Sequence, residues 1–260
     1  MRPVLFLALL APLCAQQSTP WRDPSPHTVQ FVTVDKSVRL EVLDWGGSGK
    51  PIVLLAGGGN TAHVFDDFAP KLTANFHIYG ITRRGFGASG FAATKDGADR
   101  LGADVLAIID ALKLNKPVLV GHSIGGAELS WMAAAHPDRV AGLVYLEAGY
   151  PYAFYDGNGP SMEEFQIVGP HPTPAAADLA SFSALQNWIA QNLEYRTPEA
   201  ELRQVWASTT DGRPTKFRDA PGSQILTTII QETKRHADIS APALVIFAIP
   251  QGSGELDRQQ

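Results

Sequence analysis

Residues Lys116 to Val140, with the sequence KPVLVGHSIGGAELSWMAAAHPDRV, constrain the fold more than any other stretch of the chain. A run of apolar β-formers leads into Gly-His-Ser-Ile-Gly, and an alanine-rich segment follows. The pattern predicts a strand, a tight turn and a helix, with Ser123 at the turn and its hydroxyl exposed at the end of the strand. A serine in this place indicates a nucleophile, which needs a base to take its proton.

The amide of Ile124 is the first hydrogen-bond donor to consider around that serine. It falls at the N-terminus of the predicted helix, where developing negative charge is favoured. We therefore expect the Ile124 N–H to bind the oxyanion that forms when Ser123 attacks a carbonyl.

Apolar runs alternate with helical patterns along most of the chain. The strand-like segments, in chain order, are TVQFVTV, VRLEVLDWG, PIVLLAGGGN, FHIYGI, PVLV, VAGLVYLEAG and PALVIFAI. The first two are joined by a short turn that indicates an antiparallel hairpin, and residues 96–112 have apolar side chains at helical spacing. Strands that alternate with helices predict an α/β fold with a doubly wound, mostly parallel sheet.

This alternation stops between residues 150 and 240. Three helical segments are predicted there: PAAADLASFSALQNWIAQNL, PEAELRQVWAST and GSQILTTIIQETKRHA. We therefore assign residues 16–149 and 241–260 to the α/β core and residues 150–240 to a helical cap inserted after the sixth strand.

Residues 1–15 have the pattern of a signal peptide. One Arg precedes an apolar run that ends at Ala15 and is too short to span a bilayer. This predicts a secreted or periplasmic protein without a membrane span. Cys14 is the only cysteine and is removed with the signal, so the mature chain is expected to hold no disulfide and no cysteine-ligated metal.

The composition argues against some partners and cofactors. The chain has 260 residues, 45% of them hydrophobic, which suffices for one large domain with a sizeable core. Its formal net charge of −5 argues against nucleic acid or an anionic membrane as a partner. No group of His, Asp and Glu residues shows the spacing of a metal site in the sequence, so neither a metal nor another cofactor is expected.

The order of the elements resembles the α/β-hydrolase fold, from about Val29 to Ile249. The motifs that carry the resemblance are LLAGGGN, RRGFGASG, GHSIGG and HPDRVAGLVYLEA. The resemblance implies a serine hydrolase with Ser123 as its nucleophile. It also implies that the loop after the third strand supplies a second oxyanion donor. Ala56 stands where the family usually has His, and Gly58 falls at the donor position.

A serine hydrolase of this kind also needs an acid that orients its histidine base, and two positions in the chain are possible for it. Many family members carry it just beyond the seventh strand, where this chain has Gln251, and others at the end of the sixth strand, where it has Glu147. A carboxylate that closes an apolar strand is costly unless it is paired, so a role in orienting a histidine explains Glu147 well. Asp156 and a residue absent from this chain are the alternatives.

The histidine base implied by the resemblance is not where the family has it. It should follow an eighth strand, but the tail after Ile249 reads PQGSGELDRQQ. His122 is expected to point away from the nucleophile, and His63 and His171 are the candidates for a substitute base. We therefore expect a truncated chain that lacks the last helix, strand and helix, exposes its final strand as an apolar edge, and has impaired activity.

The function expected from these features is hydrolysis of ester-like bonds, in carboxylic esters, lactones or related small molecules, through an acyl-enzyme on Ser123. Aromatic residues of the predicted cap, such as Trp188 and Trp206, favour a substrate with an apolar acyl or aromatic group. The alternative is a catalytically inactive α/β-hydrolase-like protein that binds a ligand in the same pocket.

Overall fold

The computed structural model describes residues 21–93, 97–148, 172–192, 195–231 and 238–247. The segment predicted to be a signal peptide, with Cys14, lies outside these residues. Asp156, an alternative acid, and His171, an alternative base, lie outside them as well.

Seven strands form a mostly parallel sheet at the centre of the described structure, and a two-stranded hairpin lies apart from it. Along the chain the strands are β1 (Thr28–Thr33), β2 (Arg39–Gly46), β3 (Lys50–Leu55), β4 (Phe76–Ile81), β5 (Val118–His122), β6 (Gly142–Leu146), β7 (Trp206–Ser208), β8 (Pro214–Phe217) and β9 (Ala243–Ile246). The order in the large sheet is β1-β2-β4-β3-β5-β6-β9. The pairs β1–β2 and β2–β4 are antiparallel, and the remaining pairs are parallel. The predicted α/β fold with a doubly wound, mostly parallel sheet is confirmed.

The described helices are α1 (Gly97–Ala111), α2 (Gly125–Ala135), α3 (Phe182–Asn192), α4 (Glu199–Val205) and α5 (Ser223–Gln231). Helices α1 and α2 share one hydrophobic cluster with sheet residues such as Val53 and Leu119. A second cluster joins other strand residues, such as Leu54, to the 3-10 turn Ala62–Phe65. A strand that contributes side chains to both clusters is apolar on both of its faces. Such a strand appears in the sequence as a continuous apolar run, so it could be predicted.

Helix α5 packs over the start of α2. Ile225 and Ile229 of α5 share an apolar cluster with Leu101 of α1 and with Ile124, the residue that precedes α2. None of the described helices is long and apolar enough to cross a membrane.

One element of the predicted cap differs from the sequence expectation. The segment PEAELRQVWAST was predicted to be helical throughout, but the helix ends at Val205 and Trp206–Ser208 form a strand paired with Pro214–Phe217. Trp206 packs against Phe217 with ring centroids 5.1 Å apart. Gly212, at φ +84°, closes the turn between the two strands, so the Asp-Gly pair that precedes Arg213 is the hairpin signal that was overlooked.

Strand β9 lies at one edge of the sheet, beside β6. Its apolar side chains are exposed, with Leu244 and Phe247, the residue that follows the strand, each at 55%. Within the described residues, β9 therefore presents an apolar surface at this edge of the sheet.

The fully buried guanidinium of Arg84 joins three parts of the fold. Its Nε and Nη2 atoms donate to both carboxylate oxygens of Asp104 in α1, at 2.6 and 2.7 Å. Nη2 also donates to Asp35 in the turn between β1 and β2, at 3.0 Å. A planar guanidinium suits this bidentate contact, whereas a lysine ammonium does not.

Replacing Arg84 with Met should lower the free energy of unfolding by about 3 kcal/mol, because the buried Asp104 carboxylate would keep only Arg100 as an ionic partner. Arg139→Met removes an exposed ion pair with Asp110 and serves as the matched control, with an expected loss below about 1 kcal/mol. Urea unfolding of both variants measures the difference. Equal losses would contradict an anchoring role for Arg84.

Candidate active site

Ser123 occupies the turn between β5 and α2, as the glycine spacing predicts. Its φ of +51° is in the left-handed region, which a residue other than glycine adopts only where the surrounding structure enforces it. A Cβ placed on Gly121 would lie 2.9 Å from the carbonyl carbon of Gly125, and one placed on Gly125 would lie 3.1 Å from the carbonyl oxygen of Leu55, so both positions are too crowded for a side chain. We call residues 121–125 the serine turn.

Backbone hydrogen bonds join the serine turn to the ends of the next two strands. The Ser123 N–H donates to the carbonyl of Leu146, the last residue of β6, at 3.0 Å. Glu147 follows directly, with φ +47°, and its N–H donates to Ile246 of β9 at 2.9 Å. Ser123 and Glu147 therefore stand at neighbouring strand ends on the same edge of the sheet. The catalytic roles of both residues stay predictions.

His122 belongs to the serine turn, and its ring lies next to the glycine-rich loop. A Cβ placed on Gly57 would lie 2.8 Å from Nδ1 of His122 and 3.5 Å from the Cβ of Ser123. Loss of solvent around the ring lowers the pKa of His122, while the charge of Glu147 acts in the opposite direction. His122 is exposed as a residue, and the charge of Glu147 still acts on its ring.

The glycine-rich loop, residues 57–60, follows β3 and faces the serine turn. A Cβ on Gly58 would lie 3.8 Å from Cγ2 of Ile124 and 3.5 Å from Cδ1 of Leu226 in α5. The loop turns at Gly59, with φ +79°, and the Asn60 N–H donates to the Gly57 carbonyl at 3.3 Å. Gly58 and Ile124, predicted to be the two oxyanion donors, are thus brought together.

Arg83 holds the glycine-rich loop against α2, and sequence reasoning did not identify it. Its Nη1 donates to the Gly57 carbonyl at 3.2 Å. Its Nε and Nη2 donate to the two carboxylate oxygens of Glu128 in α2, at 2.9 and 2.6 Å. Both side chains are almost fully buried, so the pair is rigid as well as charged. Arg83 and Glu128 therefore position the loop next to the serine turn.

Glu201 of α4 binds the far end of the glycine-rich loop. One carboxylate oxygen accepts hydrogen bonds from the Asn60 side chain and from the Thr61 N–H, both at 3.0 Å. The other accepts one from the Thr61 hydroxyl. Burial raises the pKa of Glu201 from 4.5 to about 7, against the opposing effect of these donors.

A mostly apolar cavity of about 370 Å³ begins at the same end of the loop. Asn60 and Glu201 form part of its wall. Its aromatic lining consists of Trp188, Tyr195, Trp206 and Phe217. The segment that the sequence assigned to a cap thus lines a cavity of the size that small ligands occupy.

His63, a candidate substitute base, is committed to another set of residues. Its Nδ1 lies 3.2 Å from Asp66 and 3.4 Å from Asp23, and its Nε2 lies 3.6 Å from Glu41. Burial alone lowers the pKa of His63, but the Asp66 carboxylate and the nearby Glu41 carboxylate raise it to about 10. A histidine in this state is a poor general base at neutral pH.

The same region bears on one sequence expectation. Asp23, His27, His63 and Asp66 each offer one potential metal-ligand atom, and these four atoms lie within 4.8 Å of one another. The expectation that the protein holds no metal stays a prediction, but the fold brings together four potential ligands that the sequence keeps apart. In the sequence these residues form two separate pairs, Asp23 with His27 and His63 with Asp66. Only the fold brings the two pairs together.

The fold and the geometry of the serine turn define the class of protein. A family model described as the alpha/beta hydrolase fold matches residues 50–208, and the chain belongs to that family. The crystal structure of E-2-(acetamidomethylene)succinate hydrolase superposes with a TM-score of 0.64 at 17% identity, over 90% of this chain and 85% of that one. At this identity the likeness shows the fold alone.

Two curated relatives are more similar in sequence. A non-heme chloroperoxidase of Streptomyces lividans is 30% identical over 154 residues, which cover 58% of this chain and 56% of the relative. A pyrethroid hydrolase of Sphingobium wenxiniae is 35% identical over 135 residues, which cover 49% of this chain and 45% of the relative. The chain thus spans about half the length of these relatives.

Glu201 should make the stability of the protein depend on pH. Between about pH 4.5 and 7 the folded state keeps a Glu201 proton that the unfolded state has lost, so the free energy of unfolding should fall as pH rises, by up to about 3 kcal/mol. Glu201→Gln should remove this part of the slope, because an uncharged amide can bind the same donors. Glu199→Gln, on the same helix, is the control and should keep it. Urea unfolding from pH 4.5 to 8 measures the slopes, and identical slopes in wild type and Glu201→Gln would refute the assignment.

Proposed function

We propose that this protein is a serine hydrolase of ester-like bonds. Ser123 attacks the substrate carbonyl to form an acyl-enzyme, which water then hydrolyses. The observation that carries the proposal is the left-handed backbone of Ser123 at the strand–helix turn, which is the conformation of a nucleophile held at the edge of an α/β sheet. Membership of the family and a relative named as a hydrolase support it.

The amides of Gly58 and Ile124 are proposed to stabilise the oxyanion. Gly58 belongs to a loop held by Arg83 and lies close to Ile124, which directly follows Ser123 and precedes α2. Donors that are held in place before the reaction lower the barrier because they do not reorganise when charge develops. Glu128 contributes by keeping the Arg83 guanidinium in position.

Glu147 is proposed to orient a histidine base and to stabilise its imidazolium. The histidine takes the Ser123 proton during attack and returns it to the leaving alcohol. Among the described histidines, His122 belongs to the serine turn and is within reach of the Glu147 charge. His122 and His171 are therefore the two candidates for this base.

The proposed substrate is a small molecule with an apolar acyl or aromatic group. The aromatic cavity next to Asn60 supports this choice, because burial of apolar area is the main source of binding energy that such a wall offers. Export to the periplasm or the outside of the cell, suggested by residues 1–15, is part of the same proposal.

Replacing Ser123 with Ala tests the nucleophile. With His122 or His171 as the base, wild-type protein should react with a fluorophosphonate probe and hydrolyse p-nitrophenyl butyrate, and Ser123→Ala should lose labelling and about 10⁴- to 10⁶-fold in turnover. Without a base, as the impaired activity expected from the sequence implies, both proteins should turn over slowly. Ser48→Ala, in an exposed loop, is the matched control and should behave as wild type. Labelling that persists in Ser123→Ala would refute the assignment. A folded wild-type protein that is neither labelled nor active would instead favour the ligand-binding alternative.

Replacing Glu147 with Gln tests the acid. The amide cannot stabilise an imidazolium, so the rate of p-nitrophenyl butyrate hydrolysis should fall by about 10⁴-fold with little change in unfolding free energy. Asp138→Asn, at an exposed turn, is the control. His122→Gln and His171→Gln in the same assay identify the base as the histidine whose loss matches that of Glu147. Unchanged turnover in Glu147→Gln would eliminate it as the acid.

A further inference from the structure

Two separate segments bring carboxylates and imidazoles together away from the serine turn. Asp23 and His27 lie in the segment before β1, and His63 and Asp66 lie at the 3-10 turn after the glycine-rich loop. The side chains of His27, His63 and Asp66 are 4–5% exposed and that of Asp23 is 24% exposed. We call these four residues the His–Asp cluster.

Three separations within the His–Asp cluster are close to those of a tetrahedral metal site. Oδ2 of Asp23 lies 3.6 Å from Nε2 of His27 and 3.4 Å from Nδ1 of His63, which in turn lies 3.2 Å from Oδ2 of Asp66. Nitrogen and oxygen ligands bound at about 2.0–2.1 Å to a tetrahedral zinc ion are about 3.3–3.4 Å apart. All four potential ligand atoms lie within 4.8 Å of one another, so the side chains have to draw together to share one ion.

Neighbouring hydrogen-bond donors hold the Asp66 carboxylate by one of its two oxygens. Oδ1 of Asp66 accepts hydrogen bonds from the Ser25 hydroxyl at 2.8 Å and from the Trp45 indole at 3.1 Å, and it lies 2.8 Å from Nδ1 of His27. An imidazole that donates Nδ1–H to Asp66 directs its Nε2 lone pair away from that carboxylate, so the His27 ring must turn for His27 and Asp66 to bind one ion. The Ser25 and Trp45 donors still hold Oδ1 of Asp66 and leave its Oδ2 to the ion.

His63 is the member of the cluster whose contacts require a proton or a metal ion on Nδ1. Its Nδ1 faces one oxygen of Asp23 and one of Asp66, while its buried Nε2 faces Glu41 at 3.6 Å and makes no hydrogen bond within the described residues. Two carboxylates can face one imidazole nitrogen only if a proton or a metal ion lies between them. A proton on Nδ1 forms a good hydrogen bond with only one of these two carboxylates. A metal ion can bind both carboxylates and the second imidazole at the same time.

We propose that Asp23, His27, His63 and Asp66 form a binding site for a divalent transition metal, with zinc as the best fit. Two imidazoles and two carboxylates are ligands that zinc accepts, and the two carboxylates balance the charge of the ion. Four protein ligands close a tetrahedral site, so its role is structural rather than catalytic. The partly exposed Asp23 and a surface cavity of about 350 Å³ that Asp23 and Asp66 line give the ion a path of entry.

The bound ion would fasten the segment before β1 to the chain that leaves the glycine-rich loop. His63 is three residues beyond Asn60, and Thr61 between them accepts the His63 N–H and binds Glu201. Zinc at the His–Asp cluster is therefore expected to stabilise the fold on the side of the loop opposite Arg83. This inference does not depend on the reaction at Ser123.

The test is zinc binding to the untagged full chain. After incubation with zinc chloride and gel filtration, elemental analysis should find one zinc per chain. The melting temperature should rise with zinc and fall again with EDTA, as for any ligand that binds only the folded state. X-ray absorption should show nitrogen and oxygen ligands at about 2.0 Å with two imidazoles.

Variants separate the His–Asp cluster from adventitious surface binding. Asp23→Asn and His27→Gln should each weaken zinc binding by at least about tenfold. His77→Gln is the matched control, because His77 also contacts a carboxylate, Asp44 at 2.8 Å, but lies outside the cluster; it should retain one zinc. If His27→Gln fails to fold, the partly exposed Asp23 still provides the test. Absence of retained zinc, or zinc retained equally by Asp23→Asn, would overturn the proposal.

Discussion

Two consecutive arginines at the end of β4 hold this structure together. Arg84 extends toward Asp104 and Asp35 and joins the sheet to α1 and to the first hairpin. Arg83 extends toward Glu128 and the carbonyl of Gly57. The two side chains diverge although the residues are adjacent, so one secures α1 and the first hairpin while the other secures the glycine-rich loop against α2. Burying such charges is costly, and the cost is offset only because each guanidinium finds a bidentate carboxylate.

The sheet, helices α1 and α2 and the serine turn could be predicted because each leaves a local pattern. Apolar runs bounded by glycine or proline give the strands, and the spacing around Ser123 gives the turn. The β7–β8 hairpin was missed since Val205 and Trp206 continue the apolar pattern of α4 while changing conformation. A short window could not show that the aromatic ring of Phe217, further along the chain, would pack against Trp206.

The supporting contacts of the candidate site could not be predicted, for a different physical reason. Arg83 pairs with a residue 45 positions away, and Glu201 binds one 140 positions away. A hydrogen bond between such distant residues requires no periodicity and leaves none in the sequence. Gly58 and Ile124 could be named in advance because backbone amides depend only on the path of the chain. The roles of Arg83 and Glu201 depend instead on which side chains the complete fold brings next to the glycine-rich loop.

The contact made by Glu201 also sets an order of events when the protein is made. Chains leave the ribosome from the N-terminal end, so the glycine-rich loop, β5 and the serine turn emerge well before α4. Asn60 and Thr61 acquire their carboxylate partner only when residue 201 has been added and α4 has reached the sheet. A nascent chain that ends before α4 therefore lacks the carboxylate that holds Asn60 and Thr61. Assembly of the candidate site is one of the last steps of folding during synthesis, not one of the first.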